Sequence, residues 1–144
     1  MTTINSYVKA EAFLGDRLLG AQLDSFRVYS VELQLNFLGD TGKGLQSYWL
    51  SAMGNVSISD KSNTFQDRSE VLANLYGLMG QDIKAVNIKD NGVLELCIGN
   101  KVITVCMDDE DFEVVWSVTP ESPTPYAEHD WSVTFTDESE LVMA

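Results

Sequence analysis

Histidine occurs once in 144 residues, cysteine twice and proline three times, and beyond Lys101 the chain holds no lysine or arginine. Each scarcity removes a class of chemistry. With His129 alone, no Cys/His or His/His metal constellation can be assembled, and a Ser-His-Asp arrangement would have to be built around that single imidazole. It lies in Tyr126-Ala127-Glu128-His129-Asp130, which reads as a loop after the prolines, and a solvated loop histidine is the simpler account. Walker, GxGxxG, GxSxG and CxxC patterns are missing too, so an enzyme has little to work with and no cofactor is expected. No window approaches the roughly 18–20 uninterrupted apolar residues of a membrane span. The start, Met1-Thr2-Thr3-Ile4-Asn5, lacks the basic beginning and apolar core of a signal peptide. A cytoplasmic protein without membrane contact is expected.

What is present is enough to fold. Hydrophobic residues make up 44% and aromatics 10%, and a domain of about 150 residues buries roughly 68–70% of the surface its unfolded chain exposes. One domain over residues 1–144 is expected. The net charge is −13 and it is unevenly placed. Residues 1–101 carry 11 acids and 9 bases, whereas residues 102–144 carry 11 acids and no base. Those last acids are Asp108, Asp109, Glu110, Asp111, Glu113, Glu121, Glu128, Asp130, Asp137, Glu138 and Glu140, interleaved with Phe112, Trp116, Tyr126 and Trp131. A disordered acidic tail would be poor in aromatic and β-branched residues. Phe112–Thr119 and Trp131–Thr136 are rich in both and are predicted strands. With a pI near 4.2, binding to nucleic acid phosphates is opposed by like charge, and a basic partner is favoured.

Residues 4–19 partly follow a helical period through Ile4, Tyr7, Val8, Phe13, Leu14 and Leu18, with Gly20 as a stop. From Leu23 to Phe37 the apolar positions alternate. The glycine-rich stretch 39–44 turns the chain into strands at Leu45–Ser51 and Asn55–Ser59, and Ser62 to Arg68 reads as a loop. A short helix is predicted from Glu70 to Leu78, capped by Asp67 or Ser69 and closed by Gly80. Asp90-Asn91-Gly92 and Gly99-Asn100 are tight-turn signals that make a meander of Ile83–Lys89, Val93–Ile98 and Lys101–Met107. With Gly99 and Asn100 as central turn residues, Leu96 faces Ile103, Leu94 faces Val105 and Cys97 faces Val102. Cys97 and Cys106 then share a face without being partners, which favours two reduced cysteines over a disulfide.

Leu18-Leu19-Gly20 and Leu78-Met79-Gly80 each end a helix-like segment and lead into a strand, a turn and an alternating strand. This suggests a weak internal repeat, 18–59 and 78–118, and a fold of the α+β class: a largely antiparallel sheet of meanders and hairpins with one or two short helices, arranged as two helix-plus-meander units side by side.

Asp108-Asp109-Glu110-Asp111 has the oxygen ligands that hard cations prefer but lacks the spacing and central glycine of an EF-hand loop, so a solvated acidic turn is the better account and no metal is assigned. Two carboxyl groups at a set separation serve glycoside hydrolysis, but 22 acids single out no pair. Trp116 and Trp131 each open the tetrapeptide Trp-Ser-Val-Thr. Either they cover the core at strand ends, or they stand amid the acids as binding anchors. Pro120, Pro123 and Pro125 hold the linker between their strands extended.

Taken together, the two Leu-X-Gly segments with their following strands, and Trp116 and Trp131 within an acidic C-terminal third, resemble small bacterial immunity proteins of contact-dependent growth inhibition and related polymorphic toxin systems. The resemblance is one of size, charge and architecture. It implies a non-enzymatic protein that binds and neutralises a cognate toxin domain, often a basic nuclease. The residues it would assign to that contact are Asp108, Asp109, Glu110, Asp111, Glu113, Trp116, Tyr126, Glu128, Asp130 and Trp131. The alternative is an accessory or structural protein whose acidic surface serves solubility only.

Overall fold

The computed structural model describes residues 4–40, 44–107, 113–121 and 130–144. In order, the elements are α1 (Ile4–Leu18), β1 (Gln22–Val28), β2 (Leu33–Asp40), β3 (Leu45–Ala52), β4 (Asn55–Ser59), β5 (Thr64–Phe65), α2 (Arg68–Leu78), β6 (Ile83–Ile88), β7 (Leu94–Ile98), β8 (Lys101–Cys106), β9 (Val114–Pro120), β10 (Val133–Thr136) and β11 (Leu141–Met143). The fold is α+β, with every named strand pairing antiparallel.

Two sheets form, where the sequence suggested two meanders side by side. One has the order β1-β2-β3-β9-β10-β11 and the other β5-β4-β8-β7-β6. The chain order hidden in these sheets is the central feature of the fold. Each half supplies a helix and a three-stranded meander, then sends its fourth strand to the other half's sheet. Thus β4 leaves the first meander to pair with β8, and β9 leaves the second to pair with β3. At the crossing, the N–H groups of Met53 and Gly54 both donate to the Val115 carbonyl, at 2.9 and 3.0 Å.

The two Leu-X-Gly segments lie against each other at the centre of this exchange. Gly20 N–H donates to the Ile83 carbonyl and Gly80 N–H to the Leu23 carbonyl. Leu23 N–H donates to Gln81, and Ile83 N–H to Ala21. These bonds interchange when positions are shifted by sixty, so a local two-fold runs through the isolated Gln22–Asp82 bridge. Gly20 and Gly80 share φ +84°, a left-handed conformation that a side chain resists and that ends both helices at the same point in the pattern.

Alternation explains the core. Leu33, Leu35 and Phe37 in β2, and Leu94, Leu96 and Ile98 in β7, are all buried while most residues between them are not, as a period of two requires. Helix α1 buries Tyr7, Ala10, Leu14 and Leu18, and α2 buries Val71, Leu75 and Leu78. Together these residues form one continuous apolar core. Helix α1 bridges the sheets, packing on β6 of one and touching β2 and β11 of the other.

Several local expectations change. The stretch from Leu23 to Phe37 divides into β1 and β2, in keeping with the strand, turn and alternating strand read after Leu18-Leu19-Gly20, and the Tyr29 N–H bonds to the Glu32 carbonyl to close the turn over residues 29–32. Val31, placed on the apolar face by the alternation, is consequently exposed. A two-residue strand, β5, lies within the predicted loop, and β11 was not predicted at all.

Candidate functional site

The acids of residues 102–144 that the structure describes fall at opposite ends of the six-stranded sheet. Glu113 immediately precedes β9, and its carbonyl accepts the Asp137 N–H at 3.1 Å, which brings it beside the turn that carries Glu138 and Glu140. That turn is pinned by Thr136, whose N–H donates to the Glu140 carbonyl at 2.8 Å and whose carbonyl accepts from Ser139. Glu113, Glu138 and Glu140 are exposed, and Asp137 is half-buried. Beyond the other end of β9, Glu121 is exposed and its N–H donates to the Ser47 carbonyl, while exposed Asp130 leads into β10. Seven strand residues lie between the two groups, a span of roughly 23 Å at the usual rise. Asp108, Asp109, Glu110, Asp111, Tyr126, Glu128 and His129 lie outside the described residues.

The two tryptophans of the repeated tetrapeptide part company. Trp116 is fully buried. It projects from the middle of β9 into the core, its ring 6.3 Å from that of Phe135, and its indole N–H donates to the Gly92 carbonyl at 2.8 Å. As a surface anchor it is therefore corrected: register places it opposite Ala52 on the inward face. Trp131 is half-buried. Its ring meets Phe13 of α1 edge-on at 5.1 Å and lies 6.0 Å from Tyr48, and the Arg17 guanidinium sits 3.5 Å from the Phe13 centroid and 5.4 Å from that of Trp131. Burial pushes the Tyr48 phenol above its ordinary value, and the nearby Arg17 cation opposes this. Trp131 thus ties the chain entering β10 to helix α1 while its neighbour Asp130 faces water.

Trp49, which follows the glycine-rich stretch and is not among the residues the resemblance assigns to the contact, occupies the opposite face of the same sheet. Trp49 lies between buried Tyr48 and Leu50, so it points away from the core and is half-buried. Register sets it beside Asn36 on one strand and Thr119 on the other, and Arg27 lies 4.6 Å from its ring centroid. Next to it runs a hydroxyl row, Ser51 opposite Ser117 and Ser117 opposite Thr134, the last two bonded at 2.9 Å. The outer face from β3 to β10 is therefore a largely uncharged platform with carboxylates at both ends. The available signal was position: an odd-numbered Trp in a strand whose even residues from Tyr48 to Ala52 are aromatic or apolar.

Cys97 and Cys106 are half-buried and are not joined in a disulfide, with Cys97 opposite Val102 in the predicted register. Among the described residues no group of three or more His, Cys, Asp or Glu side chains comes together to hold a metal ion. No helix among them is long and apolar enough to cross a membrane.

No family model, curated protein or solved structure matches the chain.

Proposed function

We propose that the chain is a non-catalytic binding protein of the immunity type, which captures a basic, nuclease-like toxin domain on the outer face of its six-stranded sheet. The observation that carries this reading is the arrangement around Trp49. An amphipathic ring, with the Arg27 guanidinium 4.6 Å from its centroid, lies beside the hydroxyl row of β3, β9 and β10, bounded by Glu113, Glu138 and Glu140 at one end and by Glu121 and Asp130 at the other. No lysine or arginine follows Lys101 to neutralise them. Complementary charge accelerates encounter before close contact is made, and a nuclease site, built for phosphate, presents the required cations. Affinity then comes from a desolvated centre, for which Trp49 is the candidate. Asp108 to Asp111, Tyr126 and Glu128, which the resemblance assigns to the contact, belong to the same acidic stretch of sequence.

The test is affinity capture from lysate at low and high ionic strength, followed by an activity assay on whatever basic protein is retained. Recovery of a 1:1 complex whose toxic activity is suppressed supports the reading. Retention of no basic protein, or of one whose activity is unaffected, overturns it. With the partner in hand, the triple variant Glu113→Gln, Glu138→Gln, Glu140→Gln should associate more slowly and with a flatter salt dependence in stopped-flow measurements.

A further inference from the structure

The internal two-fold sets a filled site beside an open one. In the second half, the space between the β6–β7 turn and the crossing strand β9 is occupied by the Trp116 indole, which bonds to Gly92 of that turn. The matching positions in the first half follow from register. Leu33 opposes Ala52 as Leu94 opposes Val105. Val56 of crossing strand β4 opposes Val105 as Trp116 of crossing strand β9 opposes Ala52. Val56 therefore stands where its counterpart is Trp116, and Ala52 where its counterpart is Val105. Both differences remove volume from the same place.

The space left is a cavity of about 230 Å³ whose walls include Val31, Leu33, Ala52, Val56, Arg68 and Val71. An engineered apolar cavity of about 150 Å³ suffices for benzene, so this one accommodates a bicyclic ring. Its mouth is apolar on the side of the β1–β2 turn, where Val28, Tyr29 and Val31 are all exposed. Ser30, Asn55, Gln66 and Arg68 supply the polar wall. Arg68 is the charged group among them. Its guanidinium donates to the carbonyls of Tyr29, Ser30 and Glu32, which holds a planar cation where the face of an aromatic ring can stack on it.

We propose that this cavity is a binding site for a planar aromatic group of indole size, seated between Val56 and the β1–β2 turn as Trp116 is seated in the other half. The site uses none of residues 102–144 and stands independently of the acidic-surface reading.

The experiment titrates the 15N-labelled protein with indole, with N-acetyl-tryptophan amide and with cyclohexanol. Indole should produce saturable amide shifts centred on Val31, Leu33, Met53 and Val56. Binding of the amide as well would identify a partner's tryptophan side chain as a fitting occupant, and binding of indole alone a small molecule. Val56→Trp, which fills the cavity from within, should weaken indole binding by about tenfold or more. Ala52→Val, which copies the other half more gently, should weaken it in the same direction and guards against misfolding of the first variant. Absence of saturable shifts at these residues, unchanged affinity in the filled variants, or cyclohexanol binding as tightly as indole would overturn the proposal.

Discussion

At the scale of single residues, the most constrained contact is between Trp116 and Gly92. Gly92 has φ +78°, and a Cβ there would fall 2.1 Å from the Phe135 ring. Gly92→Ala should therefore destabilise the protein by roughly 3 kcal/mol or more, since it adds both backbone strain and overpacking. Trp116→Phe keeps an aromatic ring but leaves the Gly92 carbonyl without its donor and opens space, a loss of about 2–3 kcal/mol. Urea denaturation of the two variants checks both figures. Asp60 offers a pH signature. Its carboxylate accepts the N–H groups of Ser62 and Asn63, each at 2.8 Å, and these bonds hold its pKa below the ordinary 3.8. Because the folded value is the lower one, this stabilisation is present above the ordinary value and is lost as pH falls through the folded one. An NMR titration should place the Asp60 midpoint below 3.8, and Asp60→Asn should flatten that part of the acid dependence. The aspartate two and three residues before its turn partners is a motif legible in sequence. The inward aim of Trp116 was not, because Trp116 and Trp131 head identical tetrapeptides, and only the strand pairing puts one inside β9 opposite Ala52 and the other on the approach to β10.

At the scale of elements, edge strands need partners for their free backbone groups. β6 is an edge, and the Glu11 carboxylate of α1 accepts the Ile88 N–H at 2.8 Å across 77 positions of sequence. Glu11→Ala should cost about 1.5–3 kcal/mol, the range for a hydrogen bond to a charged group, and should speed amide exchange at Ile88 more than at Leu96, which lies in the interior of the sheet. Comparable exchange changes at both positions would assign Glu11 a general packing role instead. Most elements were visible in the residues, because hydrophobic period is a local property. The helix ending at Gly20, the 83–107 meander and its register all follow from spacing and turn chemistry. Between Val28 and Val31 the apolar positions change phase from even to odd, which is the local mark of the turn that separates β1 from β2; the exposure of Val31 was hidden because a turn residue continues the phase of the strand that follows it.

At the scale of the whole molecule, the exchange of β4 and β9 makes each sheet incomplete without the other half. Unfolding should be a single cooperative event, with far-UV circular dichroism and tryptophan fluorescence tracing coincident urea transitions. Residues 1–60 expressed alone would lack β9, the neighbour of β3, and should show no cooperative transition. Separate transitions by the two probes, or a folded fragment, would show the halves to be independent. The same exchange positions the acids. Because β9 joins β3 rather than its own meander, the carboxylates that flank it border the Trp49 face.

The sequence by itself determined the acidic imbalance, the alternating strands, the turn glycines and the recurrence of Leu-X-Gly, since each depends on neighbours within a few positions. Tertiary structure alone decided that the two recurrences pair with each other and that the fourth strands change sheets. It also decided which tryptophan is buried and which faces outward, and that one half keeps open the space its counterpart fills. Those outcomes depend on which strand lies opposite, and pairing partners 43 to 72 positions apart are set by the packing of the assembled core rather than by any local pattern.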